Sequence, residues 1–482
     1  MSRDDLQPTD DAAIRTEGED QRGVEGGMKP DVSAASPETA QTALAGIEDI
    51  RATLDQLESQ IVQYRRLLAE EEVSSRVATV SAVGEGEIDS VAVDEPLVDD
   101  GDLVGSDATP EPLETPSVEL PELFAELESQ LELGLHHAAS ISIFEDGQEV
   151  LNFLSSEDGS GVTPEPQPLF RAFSSGKAMA AATVWRLLDS GALEVDAPVA
   201  RYWPEFAQRG KTGVTVRHVL THTSGLPHDF GRGDVDWGDW GRMVDILASM
   251  PLEYEAGEVI HYHSITFGIL VAEIASRATG LRFVELFERE VATPLRLKDT
   301  RFLVDYEDSE ARARVKELHI PDGYSDPAMP WKMDWLLDNQ IVSPGATCIT
   351  TADDLARLYA TVCNEGVTPE GEAWLSDSAA SEVFAVHASA YDIESMAKLR
   401  VGQGVWMFDD QPNRMAAPAG SGGFGHGGMG TSIGWGDPDH NVGVAIITDT
   451  MQDEELNGKR LNRVSAAVRR DLGLPVGAVE EF

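Results

Sequence analysis

Strand-like segments near both ends of the region that begins at about residue 118 limit the architectures open to this chain. Ala138 to Phe144 and Val150 to Leu154 alternate as strands do, and Asp146-Gly147 between them is a good two-residue hairpin turn. Three further segments near the other end have the same character, namely residues 405–408, 431–435 and 442–448. The sequence between the two groups is mostly helical and rich in loops. We therefore predict an α+β fold, in which an antiparallel sheet flanked by helices carries an inserted, mainly helical region.

The first 117 residues differ from the rest and divide into three segments. Residues 1–39 are polar, acidic and poor in aromatic side chains, which is typical of a disordered tail. Residues 40–72 predict a helix with a heptad pattern, and residues 73–117 return to acidic, Pro-containing sequence that is typical of a linker. The globular domain is expected to occupy residues 118–482.

The heptad segment leaves two structures open. Its apolar residues alternate spacings of three and four, as the a/d seam of a coiled coil does: Ala43, Ile47, Ile50, Leu54, Leu57, Ile61, Tyr64 and Leu68. The e and g positions are weakly charged, so they specify a partner poorly. The segment is either a coiled coil that joins copies of the chain into a homo-oligomer, or a single amphipathic helix lying on the globular domain.

The charge of the chain excludes several classes of partner. Its 482 residues include 85 acidic and 36 basic side chains, and the formal net charge is -49 at pH 7. Such a field repels phosphate groups, so we expect no nucleic-acid partner and no binding to anionic membranes. Two interpretations of the charge are open. One is adaptation to molar salt, which would screen the repulsion between acidic side chains, and the other is an acidic tail joined to an ordinarily acidic domain.

Two expected absences bear on location. No apolar run approaches the roughly 18 residues that a membrane span requires. The first residues show neither the basic nor the apolar region of a signal peptide. A cytoplasmic protein is the resulting expectation.

Cysteines and histidines do not predict a metal site. Cys348 and Cys363 are too few for a disulfide framework or a zinc-ligand set. His218 and His222 are four residues apart and His228 follows, but no H-E-x-x-H motif accompanies them. His222 is instead expected to hydrogen-bond a loop. We predict no metal and no cofactor.

Several serine motifs compete for the role of nucleophile. Ser432 stands in a G-x-S-x-G motif, but a turn into another strand follows it, whereas a nucleophile elbow leads into a helix. Ser174-Ser-Gly-Lys177 and Ser395-Met-Ala-Lys398 both match S-x-x-K. The second lies in a charged stretch, where solvated side chains are expected. The overlapping G-x-G-x-x-G at residues 423–428 opens no helix and predicts no dinucleotide site.

The surroundings of Ser174 favour chemistry there. A Gly- and Pro-containing loop precedes it, and a strong helix-forming segment follows, so its hydroxyl would lie at the positive end of a helix. Lys177, three residues on, would lie on the same helical face. A buried lysine loses basicity and can take the serine proton. The alternative is that Ser174 only caps the helix and Lys177 is solvated.

Residues 118–475 resemble the serine β-lactamase and penicillin-binding-protein superfamily, and within it the carboxylesterases of family VIII. The matching segments occur in the expected order: Phe173–Lys177, Thr215–Pro227, His261–Gly268, Gly345–Arg357 and Gly425–Gly428. The second is close to a T-V-R-H-L-L-T-H-T-S-G-L stretch that is common in these hydrolases. The third stands where the family has its Y-x-N or Y-x-S element, and the last takes the place of the lactamase K-T-G.

The resemblance implies a role for each matched position. Ser174 would be the nucleophile, Lys177 its proton acceptor, and Tyr262 the group that passes the proton to the leaving alcohol and activates water. His426, on an inner strand, would orient the substrate. The backbone N–H groups of Ser174 and Met429, the latter following Gly428, would form the oxyanion hole. Trp237 and Trp240 are candidates for walls of the acyl pocket, with exposed or core positions as the alternative.

Two departures from the family pattern favour esters over β-lactams. Ser264 replaces the lactamase asparagine, and His426 replaces the lactamase lysine, whose permanent charge holds the carboxylate of the drug. The resemblance therefore implies a serine hydrolase that acts on small, short-chain carboxylic esters. A β-lactamase or D-amino-acid peptidase is the alternative within enzymes. An idle lactamase-like scaffold is the alternative outside them.

Overall fold

A computed structural model describes residues 119–156, 166–226, 237–304, 308–326, 328–393, 398–408 and 412–482. The predicted tail, heptad helix and linker, residues 1–117, lie outside the described residues. Their assignments, and the homo-oligomer that the heptad segment suggests, stay predictions.

An antiparallel sheet of eight strands forms the centre of the described part of the chain. Its strand order is β2-β1-β10-β9-β8-β7-β6-β5, and every neighbouring pair is antiparallel. A separate pair of two-residue strands, β3 and β4, joins distant segments. The strands are β1 (Ala138–Glu145), β2 (Gln148–Ser156), β3 (Phe170–Arg171), β4 (Ile349–Thr350), β5 (Ala388–Tyr391), β6 (Lys398–Val401), β7 (Trp406–Met407), β8 (Phe424–Gly428), β9 (Ser432–Asp437) and β10 (Val442–Thr448).

Helices cover both faces of the sheet and fill the region between β2 and β5. The α-helices in the described residues are α1 (Pro121–Glu132), α2 (Gly176–Asp189), α3 (Val216–Leu220), α4 (Trp240–Ser249), α5 (Thr266–Thr279), α6 (Phe283–Phe287), α7 (Thr293–Leu295), α8 (Ser309–Arg314), α9 (Ala328–Asp338), α10 (Ala352–Cys363), α11 (Asp377–Val383) and α12 (Glu454–Asp471). Short 3-10 turns at Phe173–Ser175, Val199–Arg201, Pro204–Ala207 and Lys211–Gly213, and a π-helical turn at Glu288–Ala292, connect them.

The alternation of side chains along β10 shows why the sheet is buried on both faces. Val442, Val444 and Ile446 point to one side, into a core shared with α1 and α12. Ala445 and Ile447 point to the other side, into the core of α10 and the inserted helical region. The strand is therefore apolar throughout, because neither face meets water.

The structure confirms the predicted α+β architecture with its antiparallel sheet and inserted helical region. Asp146 and Gly147 both have positive φ, 50° and 71°, which matches the two-residue hairpin turn expected between β1 and β2. The sheet also has a part that the sequence did not predict. This part consists of the edge strand β5 and its neighbour β6, each four residues long, whose side chains alternate between exposed and at least partly buried positions.

Candidate active site

Ser174 lies in the 3-10 turn Phe173–Ser175, directly before α2. The backbone just before it is held by β3–β4 pairing and by a hydrogen bond from Ala172 N to Cys348 O of 2.9 Å. Phe173 has a φ of 47°, which is unusual for a bulky residue and marks local strain. This strained turn places the Ser174 side chain on the wall of a cavity of about 750 Å³.

Lys177 is fully buried, and its ammonium nitrogen has three hydrogen-bond partners. Nζ lies 3.0 Å from Ser174 Oγ and 2.8 Å from each of two backbone carbonyls, those of Ser264 and Gly345. Burial lowers the pKa of Lys177 to about 7, because the charged form is taken out of water without a neighbouring carboxylate to compensate. The lysine can therefore be neutral at ordinary pH, as a proton acceptor must be.

The two carbonyls reach Lys177 because two distant segments pack without side chains between them. A Cβ atom on Gly268, in the first turns of α5, would lie 2.1 Å from Gly345 N. Glycine at position 268 lets α5 approach the turn at Gly345 this closely. Ser264 lies just before α5, so the same contact brings both carbonyls to the lysine.

Tyr262 lines the same cavity as Ser174. The centre of its ring is 5.1 Å from Lys177 Nζ, within the range of a cation–π contact. His222 packs 4.9 Å from the ring and accepts a hydrogen bond of 3.2 Å at Nδ1 from His263 N, the residue that follows Tyr262. His222 thus fastens the turn that carries Tyr262.

Strand β8 approaches the nucleophile from the other side. Ser175 Oγ donates to His426 O at 3.0 Å, and Ser432 Oγ donates to Ala172 O at 3.0 Å. A Cβ atom on Gly428 would lie 2.3 Å from Ala172 O and 2.1 Å from Ser432 Oγ. Only glycine allows the strand to lie this close to the turn that bears Ser174.

The imidazole of His426 is buried in the cavity wall and electrically neutral. Burial, and next the charge of Lys177, lower its pKa to about 3. Its Nδ1 donates to Gly427 O at 2.7 Å, which places the lone pair on Nε2. His426 therefore offers a hydrogen-bond acceptor and no positive charge.

The cavity also has walls that sequence reasoning missed. Strands β6 and β7 and the segment that follows them supply side chains to it: Leu399, Arg400, Trp406, Met407, Phe408, Asn413 and Arg414. The guanidinium of Arg414 pairs with Glu454. The sequence predicted a strand at residues 405–408, but no motif in residues 398–414 indicated that these side chains would line the cavity.

The proposed acyl-pocket role of Trp237 and Trp240 is wrong. Both line a second cavity of about 690 Å³ and do not line the one at Ser174. Trp240 Nε1 donates to Glu273 Oε2 on α5 at 2.9 Å, which holds the ring on the outer side of that helix.

The sequence analysis also considered other serines as nucleophiles and other histidines as metal ligands. Ser432 is buried and serves the backbone contact described above, which agrees with the rejection of a nucleophile elbow. Ser395 and His228 lie outside the described residues. His218 accepts a hydrogen bond of 3.2 Å at Nδ1 from Thr215 N and so closes the first turn of α3.

Residues 128–468 match the model of the Beta-lactamase family, which is well over half of the chain. The chain belongs to the Beta-lactamase family. The resemblance inferred from the five sequence segments is thereby confirmed.

Individual relatives of this β-lactamase family member include esterases. The chain is 30% identical over 341 residues to "Esterase/beta-lactamase LipL" of Mycobacterium tuberculosis, covering 64% of this chain and 76% of LipL. It is 33% identical over 233 residues to "Esterase EstB" of Burkholderia gladioli, covering 42% of this chain and 59% of EstB. A crystal structure of a penicillin-binding protein homologue from Caulobacter crescentus superposes with a TM-score of 0.65 at 25% identity, covering 73% of this chain and 97% of that one.

Within the described residues, no helix is both long enough and apolar enough to cross a bilayer. Family membership and the Ser174–Lys177 pair together make this chain a serine hydrolase. A hydroxyl, a buried amine of lowered pKa and a phenol on one cavity can perform acyl transfer.

Proposed function

We propose that the protein hydrolyses short-chain carboxylic esters through an acyl-enzyme on Ser174. One observation carries the proposal: two carbonyls, each 2.8 Å from Lys177 Nζ, can bind both N–H groups of the neutral amine. The remaining lone pair then faces Ser174 Oγ, 3.0 Å away. The amine is thus oriented to take the hydroxyl proton as the oxygen attacks.

Each of the two half-reactions uses the same groups. In acylation, Ser174 Oγ bonds to the acyl carbon, its proton moves to Lys177, and the N–H groups of Ser174 and Met429 hold the oxyanion. The bond to the alcohol oxygen breaks, Tyr262 gives its proton to that oxygen, and Tyr262 then takes the serine proton from Lys177. In deacylation, water attacks the acyl carbon and its proton passes through Tyr262 to Lys177. The bond between the acyl carbon and Ser174 Oγ then breaks, Lys177 returns the proton to Oγ, and the acid leaves.

The polarity of the cavity supports ester substrates. A short-chain ester carries no charge. The lone pair on Nε2 of neutral His426 repels a carboxylate, but it can accept a hydrogen bond from a hydroxyl group or from water. LipL and EstB, to which the chain is similar, both carry the word esterase in their names.

One observation favours a second candidate function. Arg400 and Arg414 line the cavity, and guanidinium groups bind carboxylates well. They would suit a β-lactam or a D-amino-acid peptide, whose carboxylate lies beside the scissile amide. Glu454 pairs with Arg414 and offsets part of that charge.

A substrate comparison tests the proposal. We expect purified protein to hydrolyse p-nitrophenyl acetate and butyrate with kcat/KM at least about 100-fold above that for a chromogenic cephalosporin, because one unsatisfied buried polar or charged group costs about 1–3 kcal/mol. Ser174→Ala serves as the blank, and a fluorophosphonate probe should label the wild type at Ser174 alone. Faster cephalosporin turnover would support the second candidate. Absence of turnover and of label would support an idle scaffold.

The acidic composition leads to a separate expectation, adaptation to molar salt. The Debye length falls from about 30 Å at 0.01 M salt to about 3 Å at 1 M, so KCl screens the repulsion among the excess acidic groups. We expect Tm to rise by roughly 5 °C or more between low and molar KCl. Sucrose at equal osmolality is the control, because it stabilises folded proteins without screening charge. A Tm that stays level or falls in KCl rejects salt adaptation.

Two expectations from the sequence remain proposals of the same kind. The heptad spacing of residues 40–72 supports self-association of the chain through this segment, and the protein is expected to be cytoplasmic.

A further inference from the structure

A cluster of two histidines and one aspartate lies at one end of the sheet, outside the cavity at Ser174. His137 directly precedes β1, Asp449 directly follows β10, and His319 lies in the loop after α8. One ligand atom from each residue lies within 4.8 Å of the others. The three positions are far apart in the sequence, so no sequence motif predicted this cluster.

The backbone fixes all three residues relative to one another. Asp449 Oδ1 accepts hydrogen bonds from His137 N at 3.1 Å and from Ala138 N at 3.0 Å. His319 N donates to Asp449 O at 2.8 Å, and Met451 N donates to His319 O at 2.8 Å. These hydrogen bonds fix the backbone of the three residues before a ligand binds, so less conformational entropy is lost when their side chains bind a common ligand.

The second carboxylate oxygen of Asp449 points to a missing partner. Asp449 is 2% exposed, and within the described part of the chain no hydrogen-bond donor reaches Oδ2. His319 Nε2 lies 4.0 Å from Asp449 Oδ2, beyond hydrogen-bond distance. A buried carboxylate oxygen without a donor costs free energy unless a cation lies beside it.

The histidine tautomers suit metal binding. Thr450 Oγ1 donates to Asp449 Oδ1 at 3.0 Å, so the contact of 3.1 Å between His137 Nδ1 and Thr450 Oγ1 requires Nδ1 to carry the proton. The lone pair of His137 is then on Nε2. Metal-binding histidines commonly donate their other ring N–H in this way.

We propose that His137, His319 and Asp449 bind a zinc ion. Two imidazoles and one carboxylate are a common zinc set, with water in the fourth position, and the partial exposure of both histidines leaves room for that water. Donor atoms at about 2.0–2.1 Å from zinc lie roughly 3.3 Å apart, so small rotations of the side chains bring the cluster from its present spacing to that geometry. Magnesium and calcium prefer oxygen ligands alone and would bind more weakly.

The ion would brace the edge of the active site. Residues 449–453 connect β10 to α12, and Gln452 N donates to Gly430 O at 3.1 Å. Gly430 directly follows Met429, the proposed oxyanion-hole residue. Zinc would thus join the start of β1, the loop at His319 and the segment that supports the β8–β9 turn.

Calorimetric titration of the EDTA-treated full chain with Zn²⁺, in excess Mg²⁺ to occupy carboxylate-only sites, tests this inference. We expect one tight site per chain, a Tm increase of roughly 5 °C at 100-fold excess over Kd, and the visible absorption of tetrahedral cobalt when Co²⁺ replaces Zn²⁺. His319→Ala and Asp449→Asn should each raise Kd at least about 100-fold.

His440→Ala is the matched control: His440 also contacts an aspartate, Asp437, but among the described residues it belongs to no group of three potential metal ligands. It should bind Zn²⁺ as the wild type does. His319 is partly exposed, so its variant is expected to fold, and the Tm of each metal-free variant checks this. Lack of a tight site in the wild type, or equal Kd values for the wild type and a folded His319→Ala variant, would overturn the assignment.

Discussion

Replacing Lys177 with alanine should lower kcat for ester hydrolysis about 10⁴-fold, nearly as far as replacing Ser174, because the two groups act as one unit. In the described part of the chain, Lys177 Nζ is the hydrogen-bond partner of Ser174 Oγ that can accept its proton. Lys177→Met, which keeps much of the length of the side chain, should be equally inactive. Stopped-flow or steady-state assays with p-nitrophenyl butyrate measure the loss.

Lys211 provides the matched control. It is also buried, its ammonium group donates to the carbonyls of Ala248 and Met250, and burial lowers its pKa to about 8, but it lies away from the cavity. Lys211→Ala should lower Tm and leave kcat within a few-fold of the wild type, since general-base catalysis is intact. An active Lys177→Ala enzyme would remove the lysine from the mechanism.

With Lys177 as the base, the direction in which kcat/KM changes with pH is determined. Below a pKa of about 7 the amine of Lys177 is protonated and cannot accept the serine proton. The kcat/KM of the wild type should therefore rise about tenfold per pH unit below that pKa and level off above it. A profile that falls as pH rises through 7 would contradict a lysine base.

Replacing Gly428 with alanine should reduce kcat at least about 100-fold, because a displacement of about 1 Å at the reacting groups has that effect. The new Cβ would lie 2.3 Å from a backbone oxygen, that of Ala172, and 2.1 Å from Ser432 Oγ. Backbone cannot yield as a flexible side chain does, so β8 must move away from the turn that bears Ser174. Overpacking of this kind also costs about 1–3 kcal/mol of stability, which thermal unfolding detects.

Gly427→Ala is the control on the same strand. The nearest atom to its Cβ is Arg414 Nη1, 2.5 Å away at the far end of a flexible side chain, which can move aside. We expect Gly427→Ala to lose far less activity and stability than Gly428→Ala. Equal losses in the two variants would mean that the contact between Gly428 and Ala172 does not hold the site together.

The sequence predicted the parts of the site that depend on short-range geometry. Ser174 and Lys177 are one helical turn apart, so a helix that begins near Ser174 must bring them together. Tyr262 and His426 were predicted through the resemblance alone, since no local pattern connects either residue to Ser174. Arg400 was missed because no strand was predicted at β6, which forms by pairing with β5 and β7. A strand was predicted at residues 405–408, but no local pattern shows that Trp406 lines the cavity.

The sequence by itself determined the antiparallel sheet, the inserted helical region and the position of Lys177 one helical turn from Ser174. Side-chain alternation and helical spacing are local properties of the chain, so the sequence contains them. Tertiary structure alone decided the two properties that suit Lys177 to its proposed role as a base. Its lowered pKa results from complete burial, and its orientation results from the carbonyls of Ser264 and Gly345. Every residue has the same backbone carbonyl, so no pattern of side chains can predict which carbonyls will accept hydrogen bonds from a buried amine. The cluster of His137, His319 and Asp449 likewise exists only because the ends of two strands and a loop meet in the folded protein.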